Sequence, residues 1–255
     1  GLRPYPAAVA TLTRHREGGG TVVLISNSPR TSAGVISQLD EIGVSRGSYD
    51  AIVTSGDVTR VLVEAEGGGK VYHLGPERDL SIFEGLDVAR VPLAEARAVL
   101  CTGLFDDSSE TPDDYAELLR EMKARGLTMI CANPDRLVRV GHRLLYCAGA
   151  LAEAYAAIGG PVSMAGKPHR PIYDVALEKA RHARGSDFSR SQVLAIGDGP
   201  ETDIRGAADQ GFDAVLIAAG VTDASDGLEA VEAQVRRAVP KASLVAVMHE
   251  LDWAW

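Results

Sequence analysis

The sequence lacks any run of about 18 consecutive apolar residues, and this absence argues against a transmembrane helix. Its first residues contain no basic flank followed by an apolar core, so they do not indicate a signal peptide. Only three cysteines occur among 255 residues, and none of them belongs to a CxxC pair. We therefore expect reduced thiols, buried as small apolar side chains, in a cytoplasmic protein without a membrane partner.

An excess of positive charge is also missing, because 35 acidic residues outnumber 26 lysines and arginines and give a formal net charge of -9. Nucleic-acid binding requires clustered lysine and arginine, so no nucleic-acid partner is expected. A small phosphorylated ligand stays compatible with this charge, because a local site can be positive within an acidic protein. A dinucleotide-binding oxidoreductase would need a GxGxxG motif after an early strand, whereas the glycines at 18–20 precede a strand.

Short apolar runs alternate with helical patterns along most of the chain. Several runs are continuously apolar, as is typical of parallel strands covered on both faces. Helix starts are indicated by Thr111 followed by Pro112, and by Pro171. This alternation predicts an α/β fold. The predicted strands span residues 21–26, 51–54, 70–74, 98–103, 128–132, 162–165, 193–197 and 214–218.

Two glycine-rich segments, at residues 67–69 and 159–161, each follow a predicted helix. About 90 residues with their own strands and helices lie between them, which predicts a domain inserted into a host α/β domain. The predicted division is a core over 1–67 and 161–255 and an inserted domain over 68–160. Both segments are also ordinary places for a helix C-cap, and the two interpretations are compatible.

The segment from Gly197 to Asp203 follows an apolar run and carries two aspartates, Asp198 and Asp203, with four residues between them. Carboxylate oxygens are the ligands that Mg²⁺ prefers in proteins, so Asp198 and Asp203 are candidate metal ligands. The alternative is that Asp198 is a turn residue and that Asp203 complements the dipole of a helix capped by Thr202.

A second strand end carries a hydroxyl and an amide, Ser26 and Asn27, just before a predicted helix. A hydroxyl and free backbone N–H groups near a helix N-terminus are suited to binding phosphate. The alternative is helix capping, in which Asn27 or Ser28 is the cap and Pro29 occupies the first position of the helix.

Two further strand ends carry polar residues. Lys167 follows a short strand, where a cation could balance a carboxylate and a phosphate, although a lone lysine is more commonly a surface residue. Asn133 and Asp135 flank Pro134, and Asn-Pro is a common turn signal. The carboxyl end of a strand is also where α/β folds bind ligands.

Taken in chain order, these segments resemble the haloacid dehalogenase (HAD) superfamily of phosphohydrolases. Ser26-Asn27 looks like its second motif, Gly166-Lys167-Pro168 its third, and the 197–203 segment its fourth. An insertion between the second and third motifs resembles the class IIA members, which carry a large α/β cap. The resemblance covers nearly the whole chain and implies a Rossmann-like parallel-sheet core with an inserted cap domain.

The resemblance also implies a Mg²⁺-dependent phosphatase in which an aspartate attacks phosphorus and the resulting aspartyl-phosphate is hydrolysed by water. Ser26 and the backbone around Asn27 would hold phosphoryl oxygens, and Lys167 would neutralise the phosphate together with the nucleophile. Asp198 would bind the metal directly and Asp203 directly or through a water molecule. Asn133 and Asp135 of the cap would contact the substrate.

The chain departs from the family pattern in its first motif. That motif is a strand that ends in two aspartates, the first of which is the nucleophile. No aspartate precedes Asp40, which lies in a helical segment after the second motif. Gly1 lies where the first motif would just have ended, so the nucleophile maps onto no residue here. We therefore expect the chain by itself to be inactive and the intact protein to be the phosphatase.

A different class of protein remains an alternative. A non-catalytic protein of the same fold could bind a phosphorylated ligand without turnover. Sugar phosphates, nucleotides, phosphoglycolate and pyridoxal phosphate would all suit such a cap, so the sequence does not select among small phosphorylated substrates. It also leaves the oligomeric state open, and a homo-oligomer is compatible with it.

Overall fold

The computed structural model describes residues 3–140, 143–218 and 227–252. Eight α-helices lie in these ranges: α1 Pro6–Glu17, α2 Ser32–Glu41, α3 Ser55–Glu66, α4 Ala116–Ala124, α5 Ala148–Ala157, α6 Arg170–Arg184, α7 Arg205–Gln210 and α8 Leu228–Ala238. Twelve strands lie in them: β1 Val23–Ser26, β2 Ala51–Thr54, β3 Lys70–Leu74, β4 Ala89–Arg90, β5 Ala98–Cys101, β6 Thr128–Cys131, β7 Leu137–Val140, β8 Arg143–Tyr146, β9 Val162–Met164, β10 Leu194–Gly197, β11 Asp213–Ile217 and β12 Ser243–Met248.

The chain divides into two compact units. The first unit comprises residues 1–25, 36–52 and 167–255, and the second comprises residues 26–35 and 53–166. The second unit therefore includes α3 and the segment after β1, both of which lie outside the predicted insertion of 68–160. The assignment of 68–160 as a separate domain stays a prediction.

The second unit is built on a five-stranded parallel sheet with the strand order β4-β3-β5-β6-β9. The adjacent strands β5 and β6 are made almost entirely of buried apolar side chains. Because successive side chains of a strand point to opposite faces, Val99 and Cys101 join one core cluster whereas Leu100 joins another. The predicted α/β class with a parallel sheet is confirmed.

An antiparallel hairpin of β7 and β8 accompanies this sheet, with Leu137 opposite Tyr146 and Val138 opposite Leu145. Four of its apolar side chains are exposed: Leu137, Val138, Leu144 and Tyr146. These two strands do not match any strand predicted from the sequence, because arginines and a histidine interrupt their apolar residues.

The first unit contains a three-stranded parallel sheet with the order β10-β11-β12. The strands β1 and β2, which both cross the boundary between the units, form a separate two-stranded sheet. Strand β10 differs from the central strands of the second unit because Leu194 is 50% exposed and Ile196 is 39% exposed. It pairs with β11 along one edge.

The predicted helix starts are confirmed at two places. Thr111 and Asp114 form a reciprocal capping box around a 3₁₀ turn that leads into α4. Helix α6 begins at Arg170 with Pro171 in its first turn and ends before Gly185, whose φ of 69° is the left-handed conformation that glycine adopts readily. None of the helices in the described part of the chain has the length and apolarity needed to cross a membrane.

Candidate functional site

The first unit brings together two of the residues selected from the sequence. The Lys167 ammonium lies 2.6 Å from Asp203 Oδ1, and the two side chains are only 16% and 14% exposed. Nζ of Lys167 also donates to the carbonyl oxygen of Ile25 at 3.4 Å. This ion pair is better shielded from solvent than the other ion pairs of the described residues, where at least one partner is 19% or more exposed.

The loop after β10 holds the Asp203 carboxylate against the end of the strand. The Gly199 N–H donates to Asp203 Oδ2 at 3.0 Å, and the Asp203 N–H donates to the Gly199 carbonyl at 2.8 Å. A Cβ atom at Gly197 would lie 2.3 Å from Asp203 Cγ, so a side chain there would displace the carboxylate. The glycines on both sides of Asp198 therefore allow this close approach.

The two carboxylates predicted to bind a metal have different surroundings. Both oxygens of Asp203 accept hydrogen bonds, whereas Asp198 lies half-buried immediately after β10. Within residues 3–140, 143–218 and 227–252, no group of three or more His, Cys, Asp or Glu side chains forms a ready-made metal site. Mg²⁺ is commonly held by only one or two protein carboxylates, together with water and substrate phosphate, and Asp198 fits that requirement.

The second unit brings together another set of the selected residues. Asn27 Nδ2 donates to Asp135 Oδ1 at 3.3 Å, across 108 positions of sequence. Asn133 supports this arrangement, because its Oδ1 accepts from the Asp135 N–H at 3.0 Å. A Cβ atom at Gly166 would lie 2.5 Å from Asn27 Oδ1, so this glycine makes room for the amide.

Ser26 makes a local turn hydrogen bond, whereas helix α2 begins at Ser32 and not at Pro29, so the capping alternative for this segment is wrong. Ser26 Oγ accepts from the Ser28 N–H at 3.1 Å, and Ser28 Oγ in turn accepts from the Arg30 N–H at 3.2 Å. A serine hydroxyl that accepts one N–H retains its own proton for donation to a ligand. The turn is therefore compatible with a phosphate-binding role for Ser26.

Two family models match separate parts of the chain. Residues 1–89 match the model of haloacid dehalogenase-like hydrolases, and residues 164–242 match a model described as HAD-hydrolase-like. The crystal structure of a haloacid dehalogenase-like hydrolase from Brucella suis 1330 is 46% identical in sequence, with a TM-score of 0.81, and the match covers 98% of this chain and 90% of that one. The chain belongs to the haloacid dehalogenase-like family.

Two other relatives of this HAD chain are more distant. The crystal structure of a glycerol phosphate phosphatase from Mycobacterium tuberculosis in complex with magnesium is 25% identical, with a TM-score of 0.70, and the match covers 98% of this chain and 71% of that one. A cardiolipin synthase (CMP-forming)/mitochondrial hydrolase fusion protein of Schizosaccharomyces pombe is 37% identical over 59 residues, which are 22% of this chain and 10% of that protein.

The three cysteines of this HAD chain are free and buried, which confirms the expectation from the sequence. Burial raises the pKa of Cys131 to about 12 and that of Cys147 to about 11, and it raises the pKa of Cys101 as well. Because the thiolate is the reactive form, these thiols are unreactive at neutral pH while the core stays closed.

Sequence reasoning missed a second polar cluster in the second unit of this HAD chain. His73 lies next to the last residue of β3. Its Nε2 is 3.0 Å from the hydroxyl of Thr102, which follows β5. Burial raises the pKa of the neighbouring Asp79 carboxyl, and its interaction with Thr102 opposes that rise. The available signal was a polar residue near the end of each apolar strand, followed within two positions by a glycine.

Proposed function

We propose that this HAD hydrolase is part of a Mg²⁺-dependent phosphatase that acts on a small phosphorylated metabolite. The observation that carries the proposal is the shielded ion pair of Lys167 and Asp203 at the carboxyl ends of strands. An ammonium in this position favours binding of a phosphoryl group, because little solvent screens its charge. The proposal follows the family mechanism, in which an aspartate of the intact protein forms an aspartyl-phosphate.

The named relatives support this proposal. One structure at 25% identity is named as a glycerol phosphate phosphatase and contains magnesium. We extend both the phosphatase activity and the metal from that protein to this chain as part of the proposal. A cytoplasmic location, the class IIA assignment and the role of the 68–160 segment as a cap that selects the leaving group also belong to the proposal.

Each selected residue has a role that its contacts permit. Lys167 would pair with the phosphoryl group and with the nucleophile, while Asp203 fixes the direction of its ammonium. Ser26 would donate its hydroxyl proton to a phosphoryl oxygen, because its own oxygen already accepts an N–H. Bound at Asp198, Mg²⁺ would supply positive charge that offsets the repulsion between a carboxylate nucleophile and phosphate.

Asn133 and Asp135 would contact the leaving group of the substrate. Their hydrogen bonds to each other and to Asn27 hold the side chains in fixed directions before a ligand arrives. A group that is already fixed loses less conformational entropy on binding, which favours affinity. We propose this role for the pair on the basis of that preorganisation.

The test uses the product of the complete coding sequence, with p-nitrophenyl phosphate as the substrate and Mg²⁺ added or removed. We expect Asp198→Asn to abolish the metal-dependent turnover, because the amide loses the charge that holds the metal. Asp203→Asn should reduce kcat less if its contact with the metal is through water. Lys167→Met should reduce kcat by at least about a hundredfold, the scale of removing one group that stabilises the transition state.

The matched control is Asp213→Asn, an aspartate at the opposite end of a neighbouring strand of the same sheet, where it accepts from the Ser243 hydroxyl. This variant should retain its turnover. Unchanged turnover in Asp198→Asn would refute the metal assignment. A complete protein that binds inorganic phosphate but shows no turnover with any phosphomonoester would favour the non-catalytic alternative.

A further inference from the structure

An open cleft lies in the first unit, between the carboxyl-terminal ends of helices α1 and α6. Its volume is about 710 Å³, which is within the size range of pockets that hold small-molecule ligands. The residues that line it are Arg14, His15, Glu17, Arg184 and the three glycines at 18–20. These glycines do not form a dinucleotide-binding motif, and the proposed phosphatase gives them no role.

The charges that line the cleft are mostly positive, although the whole chain has a formal net charge of -9. Arg14, His15 and Arg184 supply basic groups, and Glu17 supplies the one carboxylate among the lining residues. Arg184 makes no ion pair within the described ranges of the chain. A guanidinium presents a planar fork of N–H donors that matches a phosphate or a carboxylate. This basic cleft therefore favours an anion.

Capping of helix α1 does not account for the basic side chains at its end. Arginine and histidine near a helix end often bond to the last carbonyl groups, which have no partner within the helix. Here the glycine turn supplies those partners. The Gly18 N–H donates to the Arg14 carbonyl at 3.1 Å, and the Gly20 N–H donates to the His15 carbonyl at 2.9 Å.

The glycine turn also fixes the position of the imidazole in the cleft wall. A Cβ atom at Gly20 would lie 2.1 Å from His15 Nε2 and 2.4 Å from its Cε1. Any other residue at that position would therefore displace the ring. Gly19 has a φ of 85°, a conformation that residues with side chains rarely adopt. The two glycines thus allow the chain to turn closely around the imidazole.

The basic cleft lies apart from the residues of the proposed phosphatase site. Lys167 precedes the first residue of α6, whereas Arg184 is its last residue. The 15 residues of this helix span about 22 Å at 1.5 Å per residue. A small molecule bound in the cleft therefore does not reach the ion pair of Lys167 and Asp203.

We propose that the basic cleft binds a small organic anion with at least two negative charges, whose oxyanion groups are held by Arg14 and Arg184. His15, in the wall of the same cleft, offers a ring nitrogen as a third contact. Phosphate and carboxylate groups share the geometry that a guanidinium recognises, so a phosphorylated metabolite and a polycarboxylate are two sources of one chemistry. The site requires neither the metal nor the nucleophile of the proposed phosphatase.

The experiment uses the full chain with ¹³C-labelled histidine, observed by NMR through the ring signals and assigned with His15→Gln. Pyrophosphate and citrate are the anionic probes, titrated at constant pH and ionic strength because salt screens exposed charges. We expect a saturable shift of the His15 signals with at least one of them. Glucose is the uncharged probe and should leave His15 unchanged. His73, in the second unit, is the internal reference and should not move.

Variants test which charges hold the anion. Arg184→Met removes the guanidinium and should weaken anion binding by about tenfold or more, the scale of one lost hydrogen bond to a charged group. Arg184→Lys keeps the charge without the fork and should restore part of the affinity. Arg236→Met, on exposed α8 of the same unit, is the matched control for net charge and should bind as the parent does. Lys167→Met should leave the His15 shift intact.

The same measurements can overturn the proposal. Absence of a saturable His15 shift with both anions would refute the site, as would an equal shift with glucose. Equal weakening by Arg184→Met and Arg236→Met would show long-range attraction alone. Loss of the His15 shift in Lys167→Met would place the anion at the proposed phosphatase site instead. Tighter binding of pyrophosphate than of citrate would support the site with a phosphorylated ligand, and the reverse order would support it with a polycarboxylate.

Discussion

The two parallel sheets of this protein show that apolar strands of similar composition reach very different burial. In the second unit, every residue of β5 is buried between strands on both edges and core clusters on both faces. In the first unit, β10 is equally apolar, but Leu194 and Ile196 are largely exposed. The difference teaches that burial depends on the neighbours of a strand and not on its own apolarity.

The largest expected effect comes from truncating one leucine in each sheet. Leu100→Ala removes a fully buried side chain from β5 and should lower the free energy of unfolding by about 2–5 kcal/mol. Leu194→Ala, on exposed β10, should lower it by less than about 1 kcal/mol. Urea unfolding of both variants measures the comparison. Equal losses would mean that β10 is as well covered as β5.

The second effect is a pH dependence that arises at the end of the buried sheet. The folded protein holds the pKa of His73 at about 4, below its ordinary value, so the unfolded chain binds more protons between these two values. Stability should therefore fall as the pH is lowered from 7 to 5, by about 1–2 kcal/mol after allowance for partial solvent exposure.

The control for this pH effect replaces one histidine at a time by glutamine. His73→Gln should remove that part of the slope of stability against pH, whereas His182→Gln, on an exposed part of α6, should leave it unchanged. Urea midpoints at pH 5, 6 and 7 provide the measurement. A slope that survives in His73→Gln would assign the pH dependence to other groups.

The third effect compares one buried phenol in each unit. The Tyr155 hydroxyl donates to the Leu127 carbonyl at 2.6 Å, so Tyr155→Phe should cost about 1–2 kcal/mol by leaving that carbonyl without its partner. The Tyr173 hydroxyl is buried and has no partner among the described residues, so Tyr173→Phe should change stability by less than about 0.5 kcal/mol. Thermal unfolding of the two matched variants tests this ranking, which a larger loss in Tyr173→Phe would reverse.

The smallest effect on stability concerns the exposed side chains of β10. Leu194→Lys should alter the free energy of unfolding by no more than about 0.5 kcal/mol. It should nevertheless reduce self-association, because a charge on an edge strand discourages pairing with another chain. Val61→Lys, an equally exposed change on helix α3, is the control for added charge. Light scattering should rise less steeply with protein concentration for Leu194→Lys than for the parent, and Val61→Lys should behave as the parent does. An equal decrease in both variants would show that net charge is responsible.

The sequence located eight strands from their apolar runs but missed β12, although its residues 244–248 also form a continuous apolar run. Each of the eight predicted strands corresponds to an observed strand, with ends that differ by at most two residues. The strands β4, β7, β8 and β12 were missed. Strand β4 has only two residues, and the hairpin of β7 and β8 mixes arginines with apolar residues, so neither carries a continuous apolar signal.

The candidate site was predictable where its residues stand at strand ends in recognisable motifs. Lys167 and Asp203 were selected separately from the sequence, and their direct contact is a finding of the fold. The link of His73 to Thr102 was not predictable, because it requires the register of β3 against β5. The prediction that Asp198 and Asp203 bind Mg²⁺ stays a prediction.

The buried thiols allow local opening of the second unit to be measured without any added probe. All three cysteines lie in the second unit, and their raised pKa values keep them unreactive in the closed state. The rate at which a thiol reagent labels the native chain therefore measures how often that unit opens and exposes its cysteines. A single cysteine added to the surface of the first unit would be labelled far sooner, so a fluorophore could be attached there without removing the native thiols.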